Sequence, residues 1–143
     1  MKKIVCLIAV VLMIASVAFA AAQKKMITEK DLAGLKGTWE GILDFGVTGG
    51  SGGAFATLEI LNDTVPVKAK LTVQNIPQTI ASTLAIMSDA IFEGDNGVIT
   101  TQGTIVWSGS GGGFFEVSPR GDKKLNASYW FRGVKGNATL KKK

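Results

Sequence analysis

The chain has 143 residues, 16 lysines and arginines against 11 aspartates and glutamates, no histidine, and one cysteine, Cys6. Without imidazoles, or thiols after residue 6, it has no histidine-based triad, no nitrogen–sulfur zinc site and no thiol catalysis. Its 18 glycines, 3 prolines and 3 tryptophans suit a β-rich chain with tight turns, and the net charge of +5 forms no basic stripe with interleaved aromatics of the kind a nucleic-acid partner needs.

Residues 1–20 read as a secretory signal peptide. Lys2 and Lys3 supply the positive start, Ile4 to Ala15 an unbroken apolar stretch, and Ala18-Phe19-Ala20 the small residues at −3 and −1 that signal peptidase requires. The competing reading is a membrane anchor, since only Ser16 interrupts the apolar run up to Ala22. The cleavage pattern favours removal. Cys6 lies inside the run rather than after it, which excludes a lipoprotein signal. Cleavage after Ala20 leaves 123 residues, a net charge of +3 and no disulfide. The bacterial-type signal implies a periplasmic or extracellular location. Much of the remaining positive charge sits at the tips, Lys24-Lys25 and Lys141-Lys142-Lys143. It serves either as solubilising ends or as a weak contact with anionic lipid or nucleic acid.

Residues 21–36 form a polar lead-in. Thr28-Glu29-Lys30-Asp31 has a helix start, with Thr28 as N-cap, Asp31 reaching back, and Ile27 and Leu32 as a hydrophobic staple; Gly34 limits the helix to one or two turns. From Gly37 the period becomes two. Trp39, Leu43 and Phe45 share one face and Thr38, Glu40 and Asp44 the other, with Ile42 as the exception. A second strand over 54–61 points Ala56, Leu58 and Ile60 one way. A third alternates Val65, Val67, Ala69, Leu71 and Val73 with polar residues, the mark of a half-buried antiparallel strand. Ile76, Ile80, Leu84 and Met87 fall at helical spacing, with Pro77 in the first turn, so a helix is expected near 78–88. It could plug one end of a barrel or serve as a plain crossover.

Strands resume near Ala90. Asp95-Asn96-Gly97 predicts a hairpin turn, because Asn-Gly supplies the positive φ angles a tight hairpin requires. A long strand from Val98 to Ser108 carries Ile99, Ile105 and Trp107 on one side. A glycine loop to Gly113, a short strand over 114–118 and a turn at Pro119 to Asp122 follow. Leu125, Ala127, Tyr129 and Phe131 then share a face, Gly133 to Gly136 turns the chain, and Ala138 and Leu140 lie on the inner face of the last strand. The rhythm predicts an all-β fold: roughly an eight-stranded antiparallel up-and-down barrel with a short N-terminal helical turn and one inserted helix. Its organisation is signal 1–20, lead-in 21–36 and a single domain 37–143.

Leu35-Lys36-Gly37-Thr38-Trp39-Glu40-Gly41 places Gly-x-Trp just after a short helical lead-in. This resembles the first barrel strand of the lipocalin, fatty-acid-binding and avidin group, the calycins, and Gly136 to Lys141 resembles the final strand of small lipocalin-like bacterial domains. The resemblance covers the two ends and the strand rhythm. It implies that Trp39 closes one end of the barrel beneath a basic residue of the last strand, matching Lys141 here, with Arg132 as a second candidate.

The residues left for chemistry are few. Glu40, Asp44 and Glu59 share a strand face, but their polar neighbours place them in water rather than in a paired-carboxylate site. The two glycine runs, Gly49 to Gly53 and Ser108 to Gly113, lead into strands, so they are hairpin loops rather than phosphate cradles. Three matches to the glycosylation acceptor pattern, at Asn62, Asn126 and Asn137, are what a β-rich chain yields by chance. Trp39, Phe45, Trp107, Tyr129 and Phe131 point inward. They either fill the core or line a cavity for a small apolar or amphipathic ligand, with Tyr129 as its polar handle. The expected function is that of an exported, monomeric, non-enzymatic binding domain. No catalytic residue, metal, cofactor, nucleic-acid partner or stable membrane insertion after signal removal is expected. The alternative is a structural or accessory envelope protein, binding a protein partner through a sheet edge or the Trp130 side. Lys68 and Lys70 in mid-strand and the triple-lysine end argue against an outer-membrane barrel.

Overall fold

Eight stretches of alternating apolar and polar residues pair in chain order, and the first also pairs with the last, so the sheet has no free edge. The computed structural model describes residues 25–46, 53–86, 89–109, 112–121 and 123–143. The signal segment, Lys24, most of the first glycine run, Met87 and Asp122 lie outside the described residues. The strands are β1 (Gly37–Asp44), β2 (Ala54–Ile60), β3 (Val67–Gln74), β4 (Ala90–Ile99), β5 (Ile105–Ser108), β6 (Phe114–Pro119), β7 (Lys124–Phe131) and β8 (Val134–Lys142). All eight pairings are antiparallel, giving a closed all-β barrel with two short helices.

Strand parity runs as the sequence predicts. Trp39, Leu43 and Phe45 from β1, the even-numbered residues Ala54 to Ile60 of β2 and the odd-numbered residues Val67 to Val73 of β3 are buried. Ile105 and Trp107 meet Val117 and Phe115 across the barrel wall, and Leu125 and Leu140 pair on the far side. Ile42, 57 % exposed, is the outward exception. Val65 precedes β3 and is exposed, so that strand begins after Pro66, which could not have donated to its ladder.

The lead-in closes the end at which β1 begins. Its first turn, Glu29–Asp31, is a 3-10 turn that runs into α1 (Leu32–Leu35). The Thr28 backbone N–H and hydroxyl both donate to Asp31 Oδ2, at 2.9 and 2.7 Å. These bonds hold the Asp31 carboxyl below its ordinary pKa. Ile27 and Leu32, the expected staple, are both buried. Ile27 N–H also donates to Gly103 O at 2.9 Å, tying the lead-in to the β4–β5 turn.

The inserted helix α2 (Gln78–Leu84) closes the opposite end. It joins neighbouring antiparallel strands, β3 and β4, and turns Ile80, Ala81 and Leu84 into the core, so it is the plug rather than a crossover. It is shorter than the spacing predicts. Pro77 stands just before it, its carbonyl accepting from Ile80 and Ala81, and Ala85 ends it with a positive φ of 53°. Arg132, in the β7–β8 turn, donates to the Leu84 carbonyl at 2.8 Å.

Two expected turns are displaced. The stretch Asp95-Asn96-Gly97 is not a hairpin turn; β4 runs through it, and the turn lies at Thr100 to Thr104, closed by Thr100 N–H to Thr104 O at 2.8 Å. The reason is Trp107. A Cβ on Gly94 would sit 2.7 Å from its ring, and one on Gly97 would strike the indole nitrogen and the Val67 carbonyl. The glycine therefore makes room for a side chain ten positions on, and the β3–β4 register shifts between Val67 and Ala69 beside it. Gly136 likewise belongs to β8, paired with Tyr129, and the turn before it is only Arg132-Gly133.

Candidate functional site

The inward aromatics divide between the two barrel ends. At the lead-in end Trp39 is 3 % exposed, and its indole N–H donates to Leu35 O at 2.8 Å. The cation over its ring is Lys142, with Nζ 5.5 Å from the ring centroid and bonded to Gly34 O at 2.6 Å. Lys141 is not that residue. It pairs with Glu40 on the outer parity of β8, whereas Lys142 is the register partner of Trp39. Arg132, the second candidate, stands at the other end, bonded to Leu84.

Trp107 lies at the barrel's heart, fully buried. Its indole N–H donates to Val67 O at 2.7 Å, and its ring stacks on Phe115 with centroids 4.5 Å apart and planes at 11°. It is a core residue with every contact supplied by the protein. From Phe115 a chain of rings runs towards α2. Phe92 meets Phe115 edge-on at 5.0 Å, Tyr129 meets Phe92 edge-on at 6.2 Å, and Phe131 lies 6.3 Å from Tyr129. Edge-to-face pairs at such distances are favourable beyond the area they bury.

A cavity of about 220 Å³ opens where this chain of rings ends. Its walls come from Leu71 and Val73 of β3, Ala90 and Phe92 of β4, Ile86 after α2, and Tyr129 and Phe131 of β7. Of the five aromatics singled out in the sequence, only Tyr129 and Phe131 line it. Phe45 is buried in the core, and Trp39 and Trp107 are elsewhere. Burial pushes the Tyr129 phenol up to about 12, against a weaker downward pull from the Arg132 cation. Among the described residues no hydrogen bond to a protein group offsets that burial. The Arg132 guanidinium also lies 5.0 Å from the centre of the Phe131 ring.

The wall beside the cavity is incomplete. The ladder between β4 and β5 comprises Val98 with Val106 and Ile99 with Ile105 only. Above it the Asn96 side chain replaces the backbone, donating to Ser108 O at 3.0 Å and accepting from Ser108 N–H at 3.2 Å. Beyond Asn96 the Phe92 ring packs against Gly109, in the space a Cβ there would need. An outer groove lined by Glu93, Gly94 and Gly109 reaches the same gap, and Glu93 and Gly109 also border the cavity.

Sequence reading passed over Phe92, Phe115 and Asn96. The first two have the parity of inward neighbours, Phe92 with the half-buried Ala90 and the buried Gly94, and Phe115 with the buried Val117, which is the signal that finds them. Asn96, followed by glycine, has the local marks of a turn residue instead. The surface carboxylates form no pair: Glu40 is bridged to Lys143 at 3.0 Å, and Asp44 accepts from the Gly46 N–H. Comparison with known protein families, characterised proteins and solved structures finds no match for this chain.

Proposed function

We propose that this chain is an exported, non-enzymatic binding domain whose site is the aromatic cavity between β3, β4, β7 and Ile86, and that its ligand is a small amphipathic molecule. The carrying observation is Tyr129: one phenol without a protein hydrogen-bond partner among the described residues, set in walls that are otherwise mainly apolar. Specificity in such sites comes from few polar groups in an apolar lining. The volume limits the ligand. About 220 Å³ exceeds the roughly 150 Å³ that holds a benzene ring and falls short of the roughly 300 Å³ where drug-sized sites begin. One ring or a short chain with a single hydrogen-bonding group fits. The gap between β4 and β5, held by one asparagine side chain, is the natural way in.

The calycin-like Gly-x-Trp opening and the closed eight-stranded barrel support a binding role in preference to catalysis. The signal-type sequence of residues 1–20 supports export. Intact-mass measurement of the exported protein tests the latter: Ala21 is expected first, and a retained Met1 makes the segment an anchor.

Thermal melts with toluene, p-cresol and indole test the binding role. All three are expected to raise the unfolding midpoint, since each would bind the folded state alone. Tyr129→Phe should weaken p-cresol and indole while sparing toluene. No upward shift with any of them removes the reading. The alternative, an accessory envelope protein acting through contacts, is favoured by a different observation. Phe114 and Trp130 stack on the outer wall with centroids 5.8 Å apart, 38 % and 41 % exposed. Loss of envelope association in Trp130→Ala, with no effect of the small aromatics on either protein, would select it.

A further inference from the structure

The lead-in and the last strand, far apart in sequence, meet at one end of the barrel. Lys25 and Lys30 from the lead-in, Lys123 and Lys124 from the β6–β7 turn and the start of β7, and Lys142 from β8 line one cleft of about 280 Å³. Among the described residues of that lining the carboxylate is Asp31, and its Oδ2 is held by two bonds from Thr28. The ion pair found among the described residues, Lys143 with Glu40, involves none of the five. Five lysines therefore border one small cleft, and their like charges give it a positive field. The arrangement costs free energy until a counter-charge enters.

We propose that this cleft is an anion site for a phosphate group. A compact, multiply charged anion can meet several ammonium groups at once, and lysine binds phosphate as a point charge without the planar match that arginine offers carboxylates. One of the five is already positioned: Lys142 is pinned between the Gly34 carbonyl and the Trp39 ring. The floor is apolar, made by Ile27, Leu35, Pro119 and Leu125, so it excludes water on one side of the charge. A nucleic-acid strand fits poorly. Its bases need exposed rings to stack on, and Trp39, the aromatic in this lining, is 97 % covered. The phosphate can belong to a soluble molecule or to a lipid headgroup; the chemistry of recognition is the same.

The site is independent of the aromatic cavity, so the mature protein can be tested for each separately. Calorimetric titration with inorganic phosphate and with pyrophosphate, at an ionic strength held constant with chloride, reads the soluble source. Co-sedimentation with phosphatidylglycerol vesicles, against phosphatidylcholine vesicles, reads the lipid source. Two double variants that each remove two positive charges are compared: Lys123→Ala with Lys124→Ala in the cleft, and Lys68→Ala with Lys135→Ala on the outer walls of β3 and β8. The cleft pair should weaken binding by on the order of tenfold, the wall pair by less than about twofold. Saturable binding of the phosphates assigns a soluble ligand, and binding to the anionic vesicles alone assigns a headgroup. Binding to neither overturns the proposal. So does an equal loss in both double variants, which would make the effect one of net charge.

Discussion

The barrel's two ends are closed by different physics. At the lead-in end a tryptophan is sealed in place: Trp39 is buried in the same core cluster as Ile27 and Leu32, its N–H is bonded to Leu35 O and its face is roofed by an ammonium. At the other end a seven-residue helix, bonded at its C-terminus by Arg132, shares the barrel end with a cavity, beside a wall whose ladder stops after two pairs. Apolar packing resists opening in proportion to the area it buries, whereas an end held by a few bonds opens locally at a smaller free-energy cost. On the proposed binding role, the sealed end would keep the barrel folded while the other admits the ligand.

The largest effect expected is at the sealed end. Trp39→Ala removes a large buried aromatic and should cost about 3–5 kcal/mol. Domains of this size hold only about 5–15 kcal/mol in total, so denaturant melts should find the variant marginal or unfolded. A loss below about 1 kcal/mol would mean that this end is no better packed than the other.

Next comes the wall between the ends. Gly97→Ala puts a methyl group into the Trp107 indole and the Val67 carbonyl, neither of which can move without undoing the other's bond. Overpacking of this sort costs about 1–3 kcal/mol, read again by denaturant melts. The same residues show where sequence reading stops. Period-two alternation placed β1, β2, β3 and β7 with the right faces inward, because burying one face of a strand is a local constraint. Asn96-Gly97 has every local mark of a turn, yet its glycine answers to a tryptophan on the next strand. No window of neighbours contains that information. Lys142 was within reach: it shares parity with Ala138 and Leu140, already assigned inward, and that parity outranks the family pattern that pointed to Lys141. The cavity was beyond reach, since its walls come from β3, β4, β7 and the segment after α2.

Arg132→Ala should separate the ends directly. It removes a charge-assisted bond to the Leu84 carbonyl and a cation over Phe131, worth together about 1–2 kcal/mol at a partly exposed site. Amide hydrogen exchange should quicken across 78–86 and leave the amides of β1 and β8 near Trp39 unchanged. Uniform acceleration would mean that the two ends open as one unit.

Trp130→Ala is a smaller change still. The residue is 41 % exposed and touches Phe114 on the outer wall, so a loss of about 1 kcal/mol or less is expected in the same melts. A loss exceeding that of Trp39→Ala would reverse the inside and outside of the sheet.

The finest test uses the ionisation of Tyr129, the only tyrosine in the chain, so tyrosinate absorbance reports on it alone. In the folded protein the midpoint should lie near 12, and in denaturant near 10, because burial disfavours the phenolate. The linkage follows in sign. Between those values the folded state holds the proton that the unfolded state has lost, so stability falls as pH rises from about 10 and the loss is complete above about 12. Lysines also titrate in that window, so the measurement is the difference between wild type and Tyr129→Phe, which cannot ionise at this position. Wild type should lose more stability than the variant across the window, by an amount kept small because the half-buried ring is partly screened by water. Below pH 10 the two should differ little, since the hydroxyl has no protein partner among the described residues whose bond would be lost. Bound toluene should hold the midpoint up, because it would cover the phenol without donating to the phenolate oxygen. A folded-state midpoint near 10 would place the hydroxyl in water rather than at the cavity, and the cavity end would then have no polar handle for a ligand.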